Sequence, residues 1–199
     1  RAALALLSDV AVLNRTRAEE AEASGETSLP INVGIGLNTG SCIVGNMGSE
    51  TRFDYTALGD TVNLASPLEG QSKSYGLGII LGDATAQAVK DDFAILELDL
   101  LRVKGKLEPE RIFALMGDET VKPHADFVAL EAANTKMREA YAAQNWGMAG
   151  EALTEIEVTS NSIGFDMSGY VELYRARLAD FAENPPGPDW DGVFVATSK

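Results

Sequence analysis

Apolar and polar residues repeat with two different periods along the chain, and the period predicts where helices and strands lie. Over residues 1–22 the apolar positions recur every three or four residues, which predicts a helix from Arg1 to about Glu22. Between Ile31 and Leu37 they recur at every second residue, which predicts a strand. The other face of that strand carries two glycines, and such a face allows close approach of a ligand or another backbone.

The next eighty residues continue with short segments of both periods. A strand over residues 41–46 is expected to pair with the strand over 31–37 as a hairpin, and another extended segment covers 53–58. Asp60 is a natural N-cap for a helix that should reach about Lys73. A strand, a short helix and two strands follow, at 79–81, 83–89, 93–103 and 111–115. This order indicates an α+β sheet with helices on one face.

The pattern changes after about residue 117, and we predict a domain over 1–117 and a helical C-terminal extension over 118–199. Apolar residues keep helical spacing from His124 to about Glu183 and form three helices. A proline-rich stretch at 184–188 and a short terminal strand follow. The favoured interpretation is that the helices pack on the preceding domain or extend its dimer contact. Residues 140–153 are also similar to one tetratricopeptide helix pair, which leaves a protein-interaction module as the alternative.

Composition and charge exclude several classes of protein. Of the 199 residues, 16 are Lys or Arg and 30 are Asp or Glu, so the net charge is −14, which argues against a nucleic-acid polymer as partner. The single cysteine rules out an intramolecular disulfide and a cysteine-based zinc site. The apolar runs are far shorter than the roughly 18 residues of a spanning helix. We therefore expect no membrane contact by this segment, and a cytoplasmic location.

Four positions are candidates for chemistry. Asn63 and Pro67 are four residues apart and share one face of the predicted helix, and the preceding strand brings Thr56 to the same end. Lys104 lies in a glycine-containing turn, where its ammonium can reach an anionic ligand. Taken alone, these residues fit either a polar site for a phosphorylated small molecule or ordinary surface groups.

The stretch around these residues resembles the central signature of the class III nucleotidyl cyclases, the adenylate and guanylate cyclase catalytic domain. Residues 45–66 read GNMGSETRFDYTALGDTVNLAS, and residues 103–106, VKGK, are similar to the family's late hairpin. The resemblance implies a ferredoxin-like antiparallel sheet and a head-to-tail homodimer with active sites at its interface. It also implies conversion of ATP to cyclic AMP and pyrophosphate in signal transduction, with Mg²⁺ or Mn²⁺.

The same resemblance assigns roles to individual residues. Asn63 matches the asparagine that orients the ribose and stabilises the transition state, and Lys104 matches the lysine that contacts the terminal phosphates. Thr56 matches one of two positions that select the purine, and threonine there is typical of bacterial adenylate cyclases. ATP is therefore the expected substrate, with GTP left open.

Two departures from the family pattern change the expected activity. The family's two metal-binding aspartates and its adenine-selecting lysine precede the first helix of this sequence, so we expect a partial domain that is inactive alone, with no metal ligands in this chain. The resemblance also allows an upstream membrane anchor. Pro67 stands where the family has an arginine, and we expect the helix to bend and survive. A degenerate, cyclase-like dimerisation or nucleotide-sensing domain is the alternative.

Overall fold

The computed structural model describes residues 1–49, 52–102 and 108–195. It confirms the predicted α+β class and the helices that follow residue 117. The helices are α1 (Ala2–Ser24), α2 (Asp60–Tyr75), α3 (Asp83–Val89), α4 (Ala125–Ala142), α5 (Trp146–Ser162) and α6 (Ser168–Glu183). The strands are β1 (Ile35–Leu37), β2 (Ile43–Ser49), β3 (Arg52–Leu58), β4 (Ile79–Gly82), β5 (Ala94–Arg102), β6 (Glu110–Gly117) and β7 (Phe194–Val195).

Five of these strands form one mixed sheet in the order β1-β4-β6-β5-β7. The central pairs, β4 with β6 and β5 with β6, are antiparallel, as expected. The two outer pairs, β1 with β4 and β5 with β7, are parallel. Each outer pair is joined through helices, and only a long crossover of that kind allows two strands to run in the same direction.

Helices cover both faces of this sheet, which corrects the expectation of one helical face. Side chains alternate along β4 and β6, so Ile80 and Ala114 join the core beneath α2 and α4–α6. Ile79, Leu81 and Phe113 point the opposite way, toward apolar residues of α1 and α3. Because both faces of the central strands are apolar, a single helical layer would leave one of them in water.

The pairing of the predicted hairpin was wrong. Strand β2 pairs with β3 in a separate two-stranded antiparallel sheet, with Ile43 opposite Leu58 and Gly45 opposite Thr56. Only two residues separate β2 from β3 along the chain, so this pairing closes the shorter loop. Strand β1 is thereby left to pair with β4.

The three helices after residue 117 share a continuous apolar core with the sheet. Their buried side chains, among them Phe127, Leu153 and Tyr174, lie in the same cluster as Leu96 of β5 and Leu68 of α2. The helices therefore pack on the preceding domain, as the favoured interpretation predicted. Strand β7 follows them and returns to the edge of β5.

Candidate functional site

Thr56 and Asn63 lie on either side of a tight corner between β3 and α2. Strand β3 ends at Leu58, Gly59 turns the chain, and α2 begins at Asp60. The backbone N–H of Asn63 donates to the Gly59 carbonyl at 3.0 Å, which closes the first turn of the helix. The side chains of Thr56 and Asn63 are both exposed. Two of the predicted site residues therefore lie on the consecutive elements that this corner joins.

The face of β1 that carries Gly36 packs directly against α2. A Cβ on Gly36 would overlap the carbonyl oxygen of Ala65 and the amide nitrogen of Glu69, both of the α2 backbone. The close approach predicted from this face is therefore made by another backbone. At the start of the helix, the side-chain amide of Asn38 donates to the carbonyl of Thr61 at 3.0 Å. Asn38 is a supporting residue that the sequence pattern did not single out.

Helix α2 continues through Pro67 without interruption. A proline has no backbone N–H, so the carbonyl of Asn63 loses the partner it would have four residues later. Leu64 and Leu68, on either side of this missing bond, are both buried in the main core. Burial of this face holds both halves of the helix on the sheet, and the fold survives as predicted.

Lys104 lies outside the described residues, because the structure describes nothing from 103 to 107. The neighbouring strand β5 ends at Arg102, which pairs with Val195 of β7. The convergence of Lys104 with Thr56 and Asn63 stays a prediction. A cavity of about 460 Å³ opens elsewhere, between α3, β5, β6 and α4, and Thr56, Asn63 and Pro67 do not line it.

The far end of α2 is held by buried polar groups that the sequence pattern did not single out. Tyr75, the last residue of the helix, donates its hydroxyl to Oδ2 of Asp99 at 2.5 Å, and Arg177 donates to the same oxygen at 2.6 Å. Burial raises the pKa of Tyr75, and the Asp99 carboxylate raises it further, while the Arg177 guanidinium opposes both. The signal in the sequence was the single aspartate within the apolar run of β5.

The β2–β3 hairpin exposes large apolar side chains next to Thr56. Ile43 is 72% exposed and Tyr55 is 76% exposed, and Val44 and Leu58 are also accessible. A two-stranded hairpin is marginally stable in water on its own, and exposed apolar patches on soluble proteins mark interaction surfaces. This arm is therefore a candidate for covering by another chain.

The part of the chain that the structure describes contains neither a metal-binding cluster nor a membrane-spanning helix. No group of three or more His, Cys, Asp or Glu side chains within it is arranged to hold a metal ion. The two-metal site implied by the family is therefore not fitted by these residues. None of the described helices combines the length and the apolar character needed to cross a bilayer.

Comparison with known proteins identifies the segment that carries these features. The sequence profile of the Adenylate and Guanylate cyclase catalytic domain matches residues 3–117, more than half of the chain. The matched segment contains the β3–α2 corner and all four candidate residues. It ends at the last residue of β6, so α4–α6 and β7 lie beyond it.

Individual relatives match the same part of the chain. The terminal-differentiation-specific adenylate cyclase of Dictyostelium discoideum is 39% identical over 99 residues, which are 48% of this chain and 5% of that protein. The adenylate cyclase of Anabaena cylindrica is 35% identical over 105 residues, 51% of this chain and 21% of that protein. The solved adenylyl cyclase CyaB from P. aeruginosa is 31% identical with a TM-score of 0.45, covering 58% of this chain and 59% of that chain. The chain thus spans a minor part of these two curated relatives.

Proposed function

Because the chain belongs to the adenylate and guanylate cyclase catalytic-domain family, we propose that the whole protein converts ATP to cyclic AMP and pyrophosphate in signal transduction. The observation that carries the proposal is the β3–α2 corner. It carries the exposed residues Thr56 and Asn63 on consecutive elements, within the family's matched segment. GTP is the second substrate to be tested.

The proposed reaction is an intramolecular phosphoryl transfer. The ribose 3′ oxygen attacks the α-phosphorus, the bond to the bridging oxygen of the β-phosphate breaks, the 3′ hydroxyl proton passes to solvent and pyrophosphate leaves. The amide of Asn63 can donate to the ribose and to the oxygens on which charge develops, which is the usual source of rate enhancement in such a site. Thr56 is assigned to the adenine and Lys104 to the terminal phosphates.

The site is proposed to be completed by a second copy of the chain. The exposed arm of the β2–β3 hairpin supports this, because Ile43 and Tyr55 lie on the element that carries Thr56 and need an apolar cover. A homodimer would bury the arm and bring the two halves of each site together. We also propose that the active domain lies in the cytoplasm. An upstream segment of the whole protein can anchor it to the membrane.

The described residues hold no cluster of three or more metal-binding side chains. Mg²⁺ or Mn²⁺ is nevertheless the proposed cofactor of the whole protein, with its ligands outside this chain. On this proposal the 199-residue chain alone has no cyclase activity.

A specific observation favours a second candidate, a degenerate domain that dimerises or senses nucleotide without turnover. Pro67 occupies the position of the family's arginine and cannot donate to a phosphate oxygen. Loss of one transition-state donor typically costs about a hundredfold to a thousandfold in rate.

The test is a cyclase assay of the whole protein with ATP or GTP and with Mg²⁺ or Mn²⁺. We expect slow formation of cyclic AMP, a rise of tenfold or more in Pro67→Arg, in keeping with the restored donor, and loss of activity in Asn63→Ala. Absence of cyclic nucleotide from both substrates, in the wild type and in Pro67→Arg, would leave the degenerate domain as the function.

A further inference from the structure

The helix that carries Asn63 is fixed at its far end by residues beyond the cyclase segment. Tyr75 of α2, Asp99 of β5 and Arg177 of α6 form one buried hydrogen-bonded group, which we call the α2 anchor. Arg177 donates through Nη1 to Asp99 at 2.6 Å and through Nη2 to the Tyr75 hydroxyl at 3.3 Å. Asp99 is 2% exposed and Arg177 is 7% exposed. Removal of either charge would leave the other buried and unpaired.

The local backbone explains why the anchor forms at this place. The register of β5 against β6 slips between Glu97 and Asp99, so that one extra residue, Leu98, lies on β5. Such a bulge re-aims the next side chain, and it turns Asp99, which lies between two leucines, into the core. The guanidinium of Arg177 also lies 3.5 Å from the ring centroid of Phe194 in β7.

A second contact locks the same end of α2 to the start of α6. A Cβ on Gly169 would lie 2.9 Å from the Cα of Gly76 and 3.0 Å from the Tyr75 carbonyl oxygen. The two backbones therefore meet with no side chain between them. Gly76 has a φ of 68°, in the left-handed region that favours glycine, and it ends the helix at this contact.

We propose that the helical segment after residue 117 positions the catalytic helix of the cyclase domain, and that Arg177 is the positioning residue through which it acts. Asn63 lies twelve residues before Tyr75 on the same continuous helix, about 18 Å away at a rise of about 1.5 Å per residue, so a shift of Tyr75 along the helix axis also moves Asn63. The axial position of Asn63 then follows from where the anchor holds Tyr75. This inference rests on the proposed function and adds control by the C-terminal segment to the same site.

Turnover is measured on the whole protein at a temperature where all variants are folded. In Arg177→Met we expect kcat to fall by about tenfold to a hundredfold with KM within twofold, since misplacement of a transition-state group lowers kcat alone. The matched control is Arg175→Met, on the same helix, which removes an exposed ion pair with Glu157. It should leave both constants unchanged.

The double variant Asp99→Asn, Arg177→Met separates positioning from stability. It removes both buried charges, so thermal stability should recover toward the wild type, while kcat should stay low because the hydrogen bond from Arg177 to the Tyr75 hydroxyl is still missing. Recovery of kcat together with stability would show that the arginine only stabilises the fold, and would overturn the proposal.

A readout that needs no turnover is amide hydrogen exchange of α2 in the 199-residue chain. In the double variant we expect faster exchange over residues 68–75. We also expect it over residues 60–66, although no substituted residue contacts that segment. The control Arg175→Met should leave both rates unchanged. Faster exchange confined to α6 would overturn the inference. Because exchange is independent of catalysis, a protein without cyclase activity would defeat the proposed function and leave this test in force.

Discussion

Two glycines, one facing helix α2 and the other within it, differ in the space that a side chain would find. Gly36 of β1 faces the α2 backbone at Ala65, and a methyl group there would overlap a carbonyl oxygen that cannot swing away. Gly70 lies within α2, and a Cβ on it meets nothing within 4 Å. Gly36→Ala should therefore lower the free energy of unfolding by about 1–3 kcal/mol through overpacking. Gly70→Ala should raise it by about 0.5–1 kcal/mol, because alanine favours the helix.

Urea unfolding of the two variants beside the wild type checks this pair. Equal stability of Gly36→Ala and the wild type would mean that β1 and α2 can separate without cost. The two-glycine face of the predicted strand over 31–37 was visible in the sequence, and so was the close approach it allows. The identity of the approaching group was not, because it depends on how α2 crosses the sheet. Asp99 was hidden for a related reason: a bulge in β5, set by the pairing with β6, decides where its carboxylate points.

Among the elements, α2 carries an internal conflict, because a proline lies in the middle of a continuous helix. Proline in a helix interior costs roughly 3 kcal/mol, and it returns about 0.4–1 kcal/mol by restricting the unfolded chain. Pro67→Ala should therefore raise the free energy of unfolding by about 1–3 kcal/mol. Ser66→Ala, a neighbouring exposed change, should stay within about 0.5 kcal/mol. Denaturant unfolding of both variants and the wild type measures these differences. A loss of stability in Pro67→Ala would show that packing of the half-buried ring outweighs the missing backbone hydrogen bond.

The elements themselves were largely predictable, since helices α1, α2 and α4–α6 follow the period of their apolar residues. The pairing of the strands was less predictable. The strand over 41–46 was assigned to the wrong partner because alternation identifies a strand and leaves its neighbour open. The parallel return of β7 to β5 depends on three intervening helices, and nothing local in residues 194–195 encodes it. The exposed site residues Thr56 and Asn63 came from the family signature, because their own surroundings are unremarkable in the sequence.

At the scale of the whole molecule, tyrosines from two helices, α4 and α6, meet in the core that joins the cyclase segment to the C-terminal helices. Tyr141 of α4 packs edge-on against Tyr174 of α6 at a centroid distance of 5.2 Å. Tyr170 of α6 donates its hydroxyl to Asn134 of α4 at 2.6 Å. Burial raises the pKa of each of these three tyrosines, and that of Tyr141 to about 12. The core therefore requires neutral hydroxyls.

This requirement predicts how stability depends on alkaline pH. A tyrosine in the unfolded chain ionises near pH 10, while Tyr141 in the folded chain stays neutral to about 12. Since the folded pKa is raised, its contribution is complete below about pH 10 and is lost as pH rises toward about 12. Tyr141→Phe keeps the ring and should make this decline shallower, by on the order of 2 kcal/mol at the alkaline limit. Tyr55→Phe, on the exposed arm, should follow the wild type, and urea unfolding between pH 8 and about 11 distinguishes them. A Tyr141→Phe curve parallel to that of the wild type would show that this hydroxyl is not held neutral by the shared core.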